Sequence, residues 1–172
     1  CSVGYATAAS GTVGSDASVC TWCAAGYYGS SVSGTSGCTA CPQGTYGTAS
    51  GNGAVGDRCT ACPQGTYSSA TGATVCTACS VGYATAASGT VGSDASVCMV
   101  CAAGYYGASV SGTSGCTACP QGTYGSTSGN GDIGERCIAC SVGYTTAASG
   151  AVGSNASACT VCAAGYYRNT YN

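Results

Sequence analysis

Cysteine is the residue with chemistry to spend in this sequence. Of 172 residues 17 are Cys, and eight Cys-x-x-Cys pairs, from Cys20/Cys23 to Cys159/Cys162, punctuate the chain at intervals of similar length. Thiolates at that spacing hold zinc when two pairs face one ion, and the separations here overlap those of zinc sites. Zinc modules, however, group cysteines in fours, favour Gly after the second cysteine of a knuckle and carry Lys for nucleic acid. Here the intervals are uniform, each second cysteine is followed by Pro, Ser or Ala, and there is no Lys. The alternative chemistry is oxidation. Cysteine at about one residue in ten indicates a disulfide scaffold in a secreted or surface protein. Disulfides are therefore expected, with no metal ligand, in an extracellular or cell-surface setting.

Other reactive side chains are scarce. Without His or Lys the usual general bases and their partners are missing. The acids Asp16, Asp57, Asp94, Asp132 and Glu135 are scattered, and a cysteine locked in a disulfide is no nucleophile. Neither a catalytic residue nor a cofactor is expected. Asp57-Arg58 and Glu135-Arg136 stand at matching positions just before a cysteine, where a local surface ion pair contributes well under about 1 kcal/mol. "SGNGDIGE" at 128–135 could seat calcium weakly through Asp132 and Glu135, but its sister loop has Ala54 and Asp57 instead. Arg58, Arg136 and Arg168 are too few to neutralise a run of phosphates or an anionic membrane. No apolar run approaches the roughly 20 residues of a membrane span. Nucleic acid is excluded as a partner and no membrane span is expected in this segment. The first residues lack a signal-peptide pattern, and an opening at Cys1, in mid-repeat, reads as an excerpt of a longer or processed chain.

What must position the cysteines is a set of repeats. "CSVGYATAASGTVGSDASVC" at 1–20 recurs unchanged at 79–98, and a third version fills 140–159. "CAAGYYGSSVSGTSGC" at 23–38 returns at 101–116, "CPQGTYGTASGNGAVGDRC" at 41–59 returns varied at 119–137, and "CPQGTYSSATGATVC" at 62–76 stands alone. The chain divides into modules 1 (1–22), 2 (23–40), 3 (41–61), 4 (62–78), 5 (79–100), 6 (101–118), 7 (119–139) and 8 (140–161), with the start of module 9 at 162–172. Each opens with Cys-x-x-Gly and a Tyr one or two residues later. Glycine there suits a tight turn, and the Tyr supplies a miniature core in a chain with 30 Gly and no Phe. A sugar-stacking ladder is the rival role for the Tyr series. The fold class expected is a small disulfide-rich tandem repeat: an elongated rod of short β-hairpin and turn modules with little regular secondary structure.

The pattern Cys-x-x-Gly-x-Tyr…Cys-x-x-Cys resembles the ephrin-receptor-like cysteine-rich repeat and the first half-module of tumour necrosis factor receptor domains. The resemblance runs over essentially the whole chain, although the second, doubly bridged half-module of those receptors is lacking. The tandem, Ser/Thr/Ala/Gly-rich form, as in "CTACPQGTYSSATGATVCTAC" at 59–79, looks especially like the surface immobilisation antigens of ciliates. That likeness implies an abundant, often lipid-anchored coat protein of a protist.

Loop lengths vary while each hinge stays fixed, which fits bonds from the second cysteine of one hinge to the first of the next: Cys1–Cys20, Cys23–Cys38, Cys41–Cys59, Cys62–Cys76, Cys79–Cys98, Cys101–Cys116, Cys119–Cys137 and Cys140–Cys159. Cys162 is left over, for a partner beyond Asn172 or in a neighbouring molecule. "NAS" at Asn155 is an N-glycosylation sequon on turn-rich, exposed chain, and the sister positions are Asp16 and Asp94. O-glycans on runs such as "GSSVSGTSG" at 29–37 would hydrate a chain with so few charges. A repeated surface of net charge −2 repels identical neighbours little, so the chain itself is the expected partner, in a filament or surface layer. The function expected is structural, an extracellular coat or filament protein. The alternative is a receptor- or adhesin-type ectodomain recognising protein or glycan, for which Trp22, in the hinge "CTWC", is the one unusual residue.

Overall fold

The computed structural model of the chain describes residues 1–14, 17–92 and 94–168, without the side chains of Asp94 and Ala95. Asp16, with residues 169–172 of the ninth module, lies outside the described residues.

Every module opens with a turn that Cys-x-x-Gly encodes. In module 3 the N–H of Thr45 donates to the Pro42 carbonyl at 3.2 Å, and Gly44 sits at φ +77°, the positive value that the third residue of a type II turn requires. The same bond recurs from Tyr5 to Ser2, Tyr27 to Ala24, Thr66 to Pro63, Tyr83 to Ser80, Tyr105 to Ala102, Thr123 to Pro120, Tyr144 to Ser141 and Tyr166 to Ala163. Where the turn begins with Pro, the Thr after the glycine adds its hydroxyl to the same carbonyl, at 2.6 Å from Thr45, 2.8 Å from Thr66 and 2.7 Å from Thr123. The Thr of Cys-Pro-Gln-Gly-Thr-Tyr thus has a local task.

The chain leaving the turn forms a strand that pairs antiparallel with the hinge closing its own module. Thr45–Tyr46 faces Thr60–Ala61, Tyr27–Tyr28 faces Thr39–Ala40 and Thr66–Tyr67 faces Thr77–Ala78. Tyr105–Tyr106 pairs with Thr117–Ala118 in the same way. In the Cys-Ser-Val-Gly-Tyr modules the register slips by one residue, so that Tyr5 opposes Cys23, Tyr83 opposes Cys101 and Tyr144 opposes Cys162. The bond from hinge to turn glycine slips with it. Cys41 donates to Gly26 and Cys62 to Gly44, whereas Ala24 donates to Gly4 and Ala102 to Gly82. Single helical turns, Val55–Arg58, Asp94–Val97, Ile133–Arg136 and Asn155–Ala158, close the longer loops. These are small disulfide-rich repeat modules built of short hairpins.

The chain divides into two compact units, Cys1–Ala78 with Ala87–Ser93, and Cys79–Ala86 with Asp94–Asn172. Within each, most consecutive modules are fastened by one repeated main-chain bond: a glycine in a module's loop donates to the carbonyl of the cysteine that opens the module before it, except, among the described residues, between modules 1 and 2 and between modules 5 and 6. In the first unit these are Gly51 to Cys23 and Gly72 to Cys41 at 2.8 Å, and Gly89 to Cys62 at 2.7 Å. In the second they are Gly129 to Cys101 and Gly150 to Cys119, both 2.8 Å. There the contact extends into a sheet, with Thr123–Gly125 antiparallel to Ile138–Ala139 and parallel to Ala151–Val152. The buried interior is chiefly sulfur. Cys23, Cys41, Cys62, Cys98, Cys101 and Cys119 have 0 % of their surface exposed, and Tyr67 and Tyr124 are the buried rings.

Candidate functional site

The cysteines fall into eight successive, non-interlaced bridges: Cys1–Cys20, Cys23–Cys38, Cys41–Cys59, Cys62–Cys76, Cys79–Cys98, Cys101–Cys116, Cys119–Cys137 and Cys140–Cys159. Their Cα atoms lie 5.5 to 5.8 Å apart, the ordinary span of a disulfide. Cys162 carries a free, half-buried thiol. No group of three or more His, Cys, Asp or Glu that could hold a metal occurs among the described residues.

The Tyr rings pack on backbone. Tyr27 lies between two glycines: a Cβ on Gly4 would come within 2.8 Å of its ring and one on Gly72 within 3.5 Å. Tyr105 has the same relation to Gly82 and Gly150. Tyr5 and Tyr83 reach forward one module, their hydroxyls accepting from the N–H of Cys38 at 3.3 Å and Cys116 at 3.4 Å. These rings hold one module against the next, although Tyr144 and Tyr167 stand exposed.

The loop "SGNG" is a clasp, a role the sequence reading missed. Asn52 accepts from the Cys23 N–H at 3.2 Å and donates to the Thr21 carbonyl at 2.9 Å. Asn130 repeats both bonds with Cys101 and Met99, each at 3.2 Å. Beside it Gly53 and Gly29 exchange two main-chain bonds, as do Gly131 and Gly107. The signal was the recurrence of Ser-Gly-Asn-Gly in both long Cys-Pro-Gln-Gly-Thr-Tyr modules. The charged residues nearby, expected as a surface ion pair, turn to different partners. Asp57 and Glu135 accept from the N–H of Ala54 (3.3 Å) and Asp132 (3.1 Å), capping the helical turns. Arg58 and Arg136 donate to the carbonyls of Ala49 and Thr127 instead.

Asn155, expected in the open, is half-buried. It begins the helical turn Asn155–Ala158, and its amide bridges back to Ser141, accepting from the N–H at 3.0 Å and donating to Oγ at 2.9 Å. Trp22 is 37 % exposed and pairs with Ala6 across the first hairpin. Arg168 occupies the position of Gly29 and Gly107 in the earlier copies and donates to the Thr160 carbonyl.

The sequence of part of the chain has a counterpart among known families. Residues 47–95 match the family described as tyrosine-protein kinase ephrin type A/B receptor-like. The chain is similar to ephrin-receptor-like cysteine-rich repeats. The matched stretch runs from the loop of module 3 through all of module 4 into module 5. No curated protein matches the chain. The matched family is one of cysteine-rich receptor-like ectodomains and not a catalytic family, and this likeness together with eight disulfides points to an extracellular location. Among the described residues no helix is long and apolar enough to cross a membrane.

Proposed function

We propose that the protein is a structural component of an extracellular coat or filament, comparable in style to the ciliate surface immobilisation antigens, and that it performs no catalysis. The observation that carries this reading is the repeated fastening of one module to the next through glycine N–H and cysteine carbonyl groups, from Gly51–Cys23 to Gly150–Cys119. A joint made of main chain is indifferent to most side-chain changes, so modules can be added without redesign. The side chains left over present the same weakly charged surface again and again, and copies of it attract one another with little electrostatic opposition. Cys162 supplies a thiol for a bond outside residues 1–168, and covalent glycans at Asn155 and on Ser and Thr hydrate the layer.

Sedimentation of the oxidised, natively purified protein across concentrations is the test. Self-association that deepens with concentration, with ordered contacts under the microscope, is expected. A single species at all concentrations would overturn the assembly reading, and an intact mass equal to the bare peptide would remove the glycans.

The match over residues 47–95 favours a second reading, a receptor-type ectodomain that binds a protein or glycan ligand. A saturable hit in a cell-surface and glycan binding screen would support it over the coat.

A further inference from the structure

The three Cys-Ser-Val-Gly-Tyr modules are nearly identical in sequence, yet one of them differs in what covers its loop. In module 5 Gly89 donates to the Cys62 carbonyl, and in module 8 Gly150 donates to that of Cys119. Both acceptors open modules that begin Cys-Pro-Gln-Gly-Thr-Tyr. Module 8 shows the rest of the contact. Gln121 donates from Nε2 to the Thr146 carbonyl at 3.0 Å, the Gly122 N–H donates to Thr146 Oγ1 at 3.0 Å, and Ala151–Val152 runs as a parallel strand beside Tyr124–Gly125. The same glutamine in module 3, Gln43, grips the Ser69 carbonyl of module 4 at 2.8 Å.

In module 1 the equivalent residues are Thr7, Gly11, Thr12 and Val13, and they lie open. Thr7 is half-exposed, whereas Thr85 and Thr146 are 0 % exposed. Val13 is 94 % exposed, against 46 % for Val91 and 57 % for Val152. The Gly11 N–H makes no hydrogen bond among the described residues, although Thr12 keeps its local bond to Ala9, as Thr90 keeps one to Ala87.

We infer that Thr7 and Gly11–Val13 form a docking edge for a Cys-Pro-Gln-Gly-Thr-Tyr module joined ahead of Cys1 through a Cys-x-x-Cys hinge. The two docked copies of the same element settle the chemistry. The partner must offer a free cysteine carbonyl to Gly11, a glycine N–H and a glutamine amide to residue 7, and to Thr12–Val13 the strand end that follows Gly-Thr, which is Tyr124–Gly125 in module 7 and Tyr67–Ser68, whose Ser68 N–H donates to Thr90, in module 4. The carbonyls of Cys41, Cys62 and Cys119 already accept from Gly72, Gly89 and Gly150, so the modules of that kind within the chain are taken. Glutamine sets the specificity, because the other module openings carry Ala or Val at its position, as at Ala25 and Val3.

Two extended chains test this, one preceded by the sequence of residues 62–78 and one by that of residues 101–118, each with its new disulfide verified by mass mapping. Amide hydrogen exchange at Gly11 is the readout. In the unextended chain Gly11 exchanges freely while Gly89 and Gly150 are protected. The first extension slows Gly11 by about a hundredfold, into the range of those two, as expected for an amide that gains a buried bond. Replacing the new glutamine by Ala gives back much of that protection, and the second extension confers none. An unchanged Gly11 rate in the first extension, or equal slowing by the second, would overturn the inference.

Discussion

At the scale of single residues, glycine does most of the discriminating, and its positions are not equivalent. A Cβ added at Gly29 would sit 1.9 Å from the Gly37 carbonyl oxygen and 3.2 Å from the Cys23 sulfur. A main-chain carbonyl on one side and a disulfide sulfur on the other leave no flexible group to yield, so Gly29→Ala costs about 3 kcal/mol by overpacking, and Gly107→Ala, with the same 1.9 Å contact to Gly115, costs as much. Gly56 lies in the helical turn Val55–Arg58 with nothing within 4 Å of its would-be Cβ. There Ala removes only unfolded-state freedom, and Gly56→Ala stabilises by about 0.5 kcal/mol. Denaturant titration of the oxidised variants separates these opposite signs.

At the scale of elements, the clasp is the contact that sequence periodicity could not display. Both amide atoms of Asn52 are engaged by the backbone at Cys23 and Thr21. Asn52→Ala leaves a main-chain donor and an acceptor without their partner, at a cost of about 1 to 2 kcal/mol. Asn52→Asp keeps an acceptor for Cys23 but sets a carboxylate oxygen against the Thr21 carbonyl, and it is expected to do no better. Exchange of the Cys23 amide should quicken in both variants while that of Cys101, held by Asn130, stays as it was. Equal quickening at both cysteines would mean that the loop is held by something other than its asparagine.

At the scale of the whole molecule, stability is local and additive along the chain. Each bridge closes a short loop, and one spanning about 15 residues removes roughly 3 kcal/mol of unfolded-state entropy. Replacing Cys62 and Cys76 together by Ser should therefore loosen module 4 and the bonds that run through it, from Gly72 to Cys41 and from Gly89 to Cys62. Modules 7 and 8, fastened through Cys119 and Gly150, should keep their protection, as in a quasi-one-dimensional repeat. Exchange measured module by module checks this, and a uniform loss of protection would instead indicate one cooperative unit.

The opening turns, the hairpins and the bridging of neighbouring cysteines were legible in residues 1–172 because they are local. A Cys-x-x-Gly turn closes over four residues, and a disulfide between consecutive hinges brings together cysteines only 14 to 19 positions apart. What only the tertiary structure decided is how modules meet. Nothing in "SGNG" or "ATGAT" marks Gly51 or Gly72, among so many glycines, as the donor to the preceding cysteine carbonyl. Nor does the spacing announce the one-residue slip that sets Tyr5 opposite Cys23 while Tyr27 faces Ala40. The half-burial of Asn155 against Ser141 was likewise invisible. The glycine–cysteine joints depend on two backbones approaching closely with no side chain on the glycine to hold them apart, and that fit, like the side-chain bridge from Asn155 to Ser141, is a property of surfaces already folded.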